Sequence, residues 1–305
     1  MKRPMQREWS STLTTLSLLG RDLLVTARPR QWLKNTVVLA PLVFGRQLLN
    51  ISSVIDAAFA TLSFCLAGSA IYFFNDWCDA AADREHPLKC LRPIAAGRLG
   101  RRHVWSAIVL LLFGAIVFAW AAGGATPYVV SAYVGLMIGY TVRFKHVALL
   151  DIFVIATGFV LRVWAGATAV GVPLSPWLYI CTVLLALFLA VAKRRHEVLL
   201  LEGVAANHRP ALDEYSVPLL DALLHITATA TIMTYSLYTF FAPSLPDDHS
   251  MMVTIPFVLY GIFRYLYLVY RRDLGGVPEQ VLLDDRPLLL TIVVWGLLVL
   301  VLLYR

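Results

Sequence analysis

Charge is what this chain has least of. Charged residues make up 15% of it and hydrophobic residues 59%, whereas soluble globular domains carry about 25% and 45–50%. With a mean hydropathy of +0.71, that shortage excludes a water-soluble enzyme or binding module. Cysteine is scarce too. Cys65, Cys78, Cys90 and Cys181 show neither metal-site spacing nor the pattern of a disulfide framework, and two of them fall in a loop expected to stay reduced. The first residues lack the compact apolar core and small-residue cleavage site of a signal peptide: Met1 to Thr26 is basic and then polar. No internal repeat is evident, which weighs against a transporter built from repeated halves.

What is present instead is a series of apolar runs. Nine spans are expected, centred near Val38, Phe64, Leu111, Tyr133, Ile155, Leu185, Thr231, Val258 and Val294, in an all-α polytopic membrane protein. They fill residues 1–305 as a single transmembrane unit, with 1–26 as a cytoplasmic or interfacial N-terminal segment. The cations orient it. Of the 26 Lys and Arg residues, 22 fall in the N-terminal segment and the loops around 75–102, 143–146, 193–215 and 271–286, and the opposite loops near 122–124, 170–173 and 244–248 hold none. The positive-inside rule puts the charged loops in the cytoplasm, in a multi-pass cytoplasmic-membrane protein. The net charge of +7 then suits a membrane surface and an anionic substrate, and needs no nucleic acid.

The densest chemistry follows the apolar run Val54–Phe74. Asn75, Asp76, Asp79 and Asp83 are followed by Arg84, His86, Lys89, Arg92 and Pro93. Asp76, Asp79 and Asp83 sit at i, i+3 and i+7, which puts them on one face if the helix continues. Three like charges need a positive partner. Mg²⁺ carrying phosphate groups is the simplest, because that ion prefers one or two carboxylates plus substrate oxygens; the plain alternative is a solvated helix end. Pro87, Pro93 and Gly97 stop the helix and can fold the cations back over the acids.

Three further clusters carry charge at membrane depth or beside it. Arg28-Pro29-Arg30-Gln31-Trp32-Leu33-Lys34-Asn35 reads as an interfacial anchor, although Lys34 and Asn35 could also reach a phosphate. Tyr140 and Lys145 precede Asp151, Gly158, Arg162 and Gly166, which form one helical stripe. An arginine in such a span faces a polar cavity, a ligand, or a carboxylate on another helix. Lys193-Arg194-Arg195-His196-Glu197 ends the sixth span, with Glu197 one turn beyond Lys193 and Arg194. It reads either as topology-setting charge or as a site for a hydroxylated, phosphorylated ligand.

The Asn-Asp-x-x-Asp-x-x-x-Asp pattern of Asn75 to Asp83, the Tyr-x-x-x-x-Lys of Tyr140 to Lys145, and nine spans with cytoplasmic motifs resemble the UbiA superfamily of intramembrane prenyltransferases. The resemblance implies a helical bundle with a central cavity open to the cytoplasm and to lipid. Typical members carry a second aspartate-rich motif after span six, where this chain has Lys193 to Glu197. That departure, the Arg28–Asn35 and Asp83–Ile94 motifs, and the late Gly276-Val277-Pro278-Glu279 with Asp285-Arg286 are similar to the branch containing decaprenyl-phosphate phosphoribosyltransferase.

This branch implies Mg²⁺-dependent transfer of 5-phosphoribose from 5-phosphoribosyl 1-diphosphate to a polyprenyl phosphate, for cell-wall arabinan (arabinogalactan) precursors. On that basis Asp76, Asp79 and Asp83, with Asn75, are expected to hold Mg²⁺ on the leaving diphosphate. Lys89, Arg92, Lys193 and Arg194 would neutralise donor phosphates, Glu197 would accept ribose hydroxyls, and Arg84 would belong to the same substrate-binding set. Lys34, Lys145 or Arg162 would steer the acceptor phosphate, with Asn35, Tyr140 and Asp151 also lining the site. The alternative is a prenyltransferase that moves a polyprenyl group from its diphosphate onto an aromatic or other acceptor. The oligomeric state stays open, a homo-oligomer included.

Overall fold

The computed structural model describes residues 18–201, 210–243, 245–246 and 248–305. The first 17 residues of the expected N-terminal segment, the stretch 202–209 of the loop after span six, and Ser244 and Asp247 lie outside the described residues. Residues 18–27 are helical. Eight long helices follow: α1 (Ile51–Cys78), α2 (Arg101–Ala121), α3 (Thr126–Val142), α4 (Leu150–Ala169), α5 (Pro176–Leu201), α6 (Val217–Phe241), α7 (Ile255–Arg272) and α8 (Arg286–Tyr304). Among the described residues there is no strand.

All nine expected span centres lie in helical segments, and seven of the helices are long and apolar enough to cross a membrane. This is a multi-pass membrane protein. The two remaining centres differ for a geometric reason. Tyr133 lies in α3, which has 17 residues and is just under the usual length. Val38 lies in a 3-10 helix, Pro29–Leu39, that runs into a short α-helix, Ala40–Phe44. A 3-10 helix rises about 2.0 Å per residue, so its 11 residues cover about 22 Å. The five α-residues that follow add about 7 Å, and together they match a hydrocarbon layer of about 30 Å.

This leading segment is wedged between α1 and α4. Gly166 permits the approach, because a Cβ at that position would stand 1.9 Å from the Val38 carbonyl oxygen. The stripe expected on span five therefore does clear space for a neighbouring backbone. One apolar core joins the leading segment to α1, α2, α3 and α4 through Val38, Phe64, Ala115, Val130 and Ala165. A second joins α4 to α7 through Ile152, Phe188, Leu220 and Tyr265. A smaller cluster of Phe73, Ile94, Leu99 and Val104 underlies the acidic loop and fixes it to the end of α1. The outer face of α2, with Val109, Leu110, Phe113 and Val117 exposed, is the kind of apolar surface that lipid covers.

Candidate active site

The acidic loop is bent, not straight. α1 ends at Cys78, Asp79 forms a turn, and a short helix, Ala80–Glu85, carries Asp83. The expectation that Asp76, Asp79 and Asp83 share one face assumed an unbroken helix; with this break Asp76 and Asp83 still meet at Arg92, while Asp79 turns to Lys145. Arg92 Nη1 donates to Asp83 Oδ2 at 2.7 Å and to Asp76 Oδ1 at 3.2 Å. Lys145 Nζ lies 2.5 Å from Asp79 Oδ1, and Asn75 donates to the other Asp79 oxygen at 3.1 Å. The prolines and Gly97, at a positive φ of 74°, do fold the chain back, and Arg92 is the cation they deliver. His86 Nδ1 accepts from the Leu88 amide at 3.2 Å, so this imidazole helps to shape the turn. Arg84 Nε donates to the Ala95 carbonyl at 3.1 Å and ties the loop together.

Arg28 completes this pole, and sequence reasoning took it only for an anchor. Its Nη2 donates to Asp76 Oδ1 at 2.6 Å, and its guanidinium lies 4.7 Å from the centre of the Tyr72 ring. Arg28 adopts a left-handed backbone, with φ 53°, directly before Pro29. That conformation costs a non-glycine residue about 1–3 kcal/mol, and the contact with Asp76 holds it. A cavity of about 280 Å³ opens here, lined by Arg28, Asp76, Leu88, Leu91 and Arg92 among others. The signal for Arg28 was its place in one short motif with Gln31, Lys34 and Asn35.

From this pole a polar strip runs into the bundle. Tyr72 Oη lies 3.5 Å from Gln31 Oε1, and the same hydroxyl feels Arg162, Arg28, Glu279 and Asp76. Lys34 Nζ lies 3.3 Å from Glu279 Oε2, an ion pair by distance whose alignment falls short of a hydrogen bond. Glu279 stands in the short helix Pro278–Asp284, beyond the spans. Burial pushes its carboxyl up, but the Lys34 ammonium, a backbone N–H and Gln31 outweigh this and hold it below the usual carboxylate range.

Arg162 is 9% exposed, and its hydrogen bonds run to neutral groups. It donates to Asn35 Oδ1, the Gly158 carbonyl and Tyr133 Oη, each at 2.8 Å. The alternative of an ion pair with a carboxylate on another helix is not seen among the described residues. Asn35 in turn donates to Cys65 Sγ at 3.3 Å. The result is a buried positive charge that has no carboxylate within ion-pair distance among the described residues, beside Lys34.

The basic end of α5 divides by burial. Lys193 keeps 38% of its side chain exposed, and Arg194 keeps 1%. Arg194 Nε lies 2.5 Å from Asp151 Oδ2, its Nη1 contacts Glu197, and its Nη2 donates to Tyr140 Oη at 3.0 Å. Asp151 also accepts from Tyr215 Oη at 2.6 Å. That same phenolic oxygen accepts from the Leu149 amide at 2.7 Å, steadying a residue with φ 64°. Burial, and donation to Asp151, raise the Tyr215 hydroxyl well above its usual range. The structure therefore gathers Tyr140, Asp151, Arg194 and Glu197 into one network. Lys193 stays outermost, with its Nζ 3.9 Å from Glu197 Oε1, and Lys89 stands in the returning loop.

Among the described residues no three His, Cys, Asp or Glu side chains converge as a ligand set for a metal ion. The donor chemistry nevertheless suits Mg²⁺. Asp76 and Asp83 are nearly buried oxygen donors that share one cationic nitrogen of Arg92, so positive charge between them is already required. Two carboxylates with phosphate oxygens form the sort of set this ion takes.

This arrangement of a paired acidic loop, a returning arginine and a lysine after α3 has relatives. Residues 38–279 match the UbiA prenyltransferase family. The chain belongs to that family. A Corynebacterium glutamicum protein named decaprenyl-phosphate phosphoribosyltransferase is 36% identical over 284 residues, spanning 91% of this chain and 85% of that protein. One of the same name from Mycolicibacterium smegmatis is 33% identical over 306 residues, covering 95% of each. Among solved structures, a UbiA homolog from Archaeoglobus fulgidus bound to GPP and Mg²⁺ superposes with a TM-score of 0.72 at 16% identity, over 93% of this chain and all of that one. At that identity the likeness speaks for the fold: this UbiA-family chain has the family's helical bundle.

Proposed function

We propose that this chain is a pentosyltransferase acting as one catalytic unit over residues 1–305 of a cytoplasmic membrane, with its charged end in the cytoplasm. It transfers 5-phosphoribose from 5-phosphoribosyl 1-diphosphate to a polyprenyl phosphate, giving polyprenylphosphoryl-5-phosphoribose and diphosphate. That product suits the synthesis of cell-wall arabinan precursors. The observation that carries this reading is the charge of the site. One acidic pole, Asp76 with Asp83, is joined by Arg28, Arg92, Lys145, Lys34 and Arg162, and the end of α5 offers Lys193, with Arg194 buried behind it, in place of a second acidic motif. A donor with phosphate at both ends of a sugar fits a cation-rich site with a single acidic pole. The curated relatives named above support the same choice.

In this mechanism the C1–O bond to the leaving group breaks, and diphosphate departs with the electron pair. A phosphate oxygen of the polyprenyl phosphate forms the new bond at C1 from the opposite face, inverting the anomeric centre. The acceptor is already anionic, so no strong general base is needed. C1 gains oxocarbenium character as in other glycosyl transfers. Asp76, Asp79 and Asp83, with Asn75, would hold Mg²⁺, whose chemistry is to take up negative charge on the leaving oxygens. Arg92 and Arg28, now on the acids, stand within reach of donor phosphates, with Lys89 and Lys193 at the rim. Lys145, Lys34 and Arg162 then lie on the path of the acceptor phosphate, with the isoprenoid tail along apolar, lipid-facing walls.

The deciding experiment incubates purified protein with Mg²⁺, polyprenyl phosphate and phosphoribosyl diphosphate labelled in the ribose. A labelled lipid that requires all three is the expected product. Transfer of a prenyl group from prenyl diphosphate to an aromatic acceptor, with no labelled lipid, would overturn the reading.

A further inference from the structure

Glu279 has a carboxylate oxygen that the protein leaves without a hydrogen bond. Three buried side-chain oxygens among the described residues lack such a partner, and two of them are Glu279 Oε2 and Tyr265 Oη. Glu279 is 6% exposed and Tyr265 2% exposed, and the Glu279 carboxylate acts electrostatically on the Tyr265 hydroxyl. Lys34 balances the charge of Glu279 Oε2 without aligned donation to it, and Tyr265 Oη has no hydrogen-bond partner, so both oxygens keep capacity for a ligand. Glu279 faces the polar strip: Lys34 and Gln31 hold the carboxylate, and Tyr72 feels it together with Asp76 of the acidic pole.

The chemistry narrows what the pair receives. A carboxylate repels phosphate oxygens and accepts from O–H groups, while a phenol beside it can donate or accept. Lys34 neutralises Glu279, so the carboxylate does not oppose the binding of anions nearby. The exposed member of the ion pair is Lys34, with 29% of its side chain open against 8% for Glu279. A ligand arriving there meets the ammonium first and the carboxylate behind it. Glu197, the other acid in a position to read a sugar, is engaged by Arg194 and Lys193.

We propose that Glu279, set by Lys34 and Gln31 and flanked by Tyr265, accepts hydroxyl hydrogens of the donor sugar and selects a ribose over a deoxy sugar. This rests on the phosphoribosyl-transfer reading above and adds the residue that recognises the sugar between its two phosphates.

The test uses the full-length protein in lipid nanodiscs with Mg²⁺ and polyprenyl phosphate. Phosphoribosyl diphosphate is compared with analogues in which the 2- or the 3-hydroxyl is replaced by hydrogen. For the wild type, loss of the hydroxyl held by Glu279 should lower kcat/KM by about ten- to a hundredfold, as expected for a hydrogen bond to a charged group. E279A should weaken the full donor by a similar factor and stop discriminating against that analogue. E279Q, of the same shape, should discriminate several-fold less than the wild type and decides the matter if E279A does not fold. If Glu279 only clamps its loop to Lys34, both donors suffer alike and their ratio is preserved; that result overturns the proposal. A wild type that makes no labelled lipid from the full donor refutes the underlying reading instead.

Discussion

Removing the Arg194 side chain should unfold the protein before it reveals anything about the donor. Its guanidinium is 1% exposed and lies 2.5 Å from Asp151, whose carboxylate is equally buried. Deleting one member of a buried pair leaves the other charge uncompensated, at a cost of about 3–5 kcal/mol. Arg194→Ala also removes donors from Glu197 and Tyr140, leaving Asp151 with Tyr215. Lys193, 38% exposed one residue earlier, sits where a substitution moves stability by about 0.5 kcal/mol or less. Lys193→Ala should instead raise the donor KM, by about tenfold if the lysine meets a phosphate. Equilibrium unfolding in detergent, read beside donor and acceptor kinetics, separates the two. The pair Asp151→Asn and Arg194→Met supplies a cycle: the double variant should be more stable than the sum of the singles implies, by about 1–3 kcal/mol. An Arg194→Ala protein as stable as the wild type, with only the donor KM raised, would refute the buried-pair reasoning and return Arg194 to the substrate.

Arg162→Leu leaves Asn35, Tyr133 and the Gly158 carbonyl without their donor, so it should insert and express yet lose turnover. Arg162→Lys keeps the charge without the three-way reach and should retain a fraction of activity; a fully active leucine variant would reduce the residue to packing. Asp76→Asn removes the charge that holds both Arg28 and Arg92, and turnover measured across Mg²⁺ concentration should fall to background while thermal stability changes little. Near-normal turnover would falsify its assignment as a metal ligand. Asp285 caps α8 by accepting from the Leu288 amide at 2.9 Å, and hydrogen bonding from Arg264, with that amide, holds its carboxyl below the usual range. A depressed carboxyl stabilises the fold fully above its unfolded value of about 3.9, and that contribution fades as pH falls through the lower folded value. Asp285→Ala should therefore cost about 1 kcal/mol near neutrality, with the difference from wild type shrinking below about pH 4 in unfolding measured from pH 3 to 7.

Most of the scaffold was readable because a bilayer admits few solutions: apolar runs of sufficient length become helices, and all nine expected centres lie in one. The 3-10 form of Pro29–Leu39 was not readable, since no side-chain period announces it; the close seat against Gly166 shows only in three dimensions. The returning loop was legible from Pro87, Pro93 and Gly97, which can only turn the chain, and Arg92 meets Asp76 and Asp83 as that turn suggests. Arg28 was missed because a cation beside Trp32 reads equally well as an anchor. Trp32 in fact hydrogen-bonds Ser69 at 3.0 Å, and that bond draws the motif onto α1. Asp151 gave no hint of Arg194, because two charges on separate spans reveal their partnership only once α4 packs on α5. Glu279 was visible as part of a motif, but its meeting with Lys34 joins opposite ends of the chain.

The bonds at the acidic pole imply that ligand binding there is an exchange and not a simple addition. Asp76, Asp79 and Asp83 each have a cation within ion-pair distance already, from Arg28, Arg92 or Lys145. Were the three acids bare, their mutual repulsion in a poorly solvated site would strain the fold, and the protein's own cations remove that strain. On the proposed mechanism, the carboxylates would hold Mg²⁺ while the arginines would turn to phosphate oxygens, so the number of opposite-charge contacts would be kept as their partners change. Binding strength is then a difference between two well-paired states, and it falls when either set of partners is removed. Neutralising Arg92 alone should for this reason do more harm to donor binding than to the fold. The same logic separates this pole from the Asp151–Arg194 network, where both partners are closed off from solvent and no exchange is open to them.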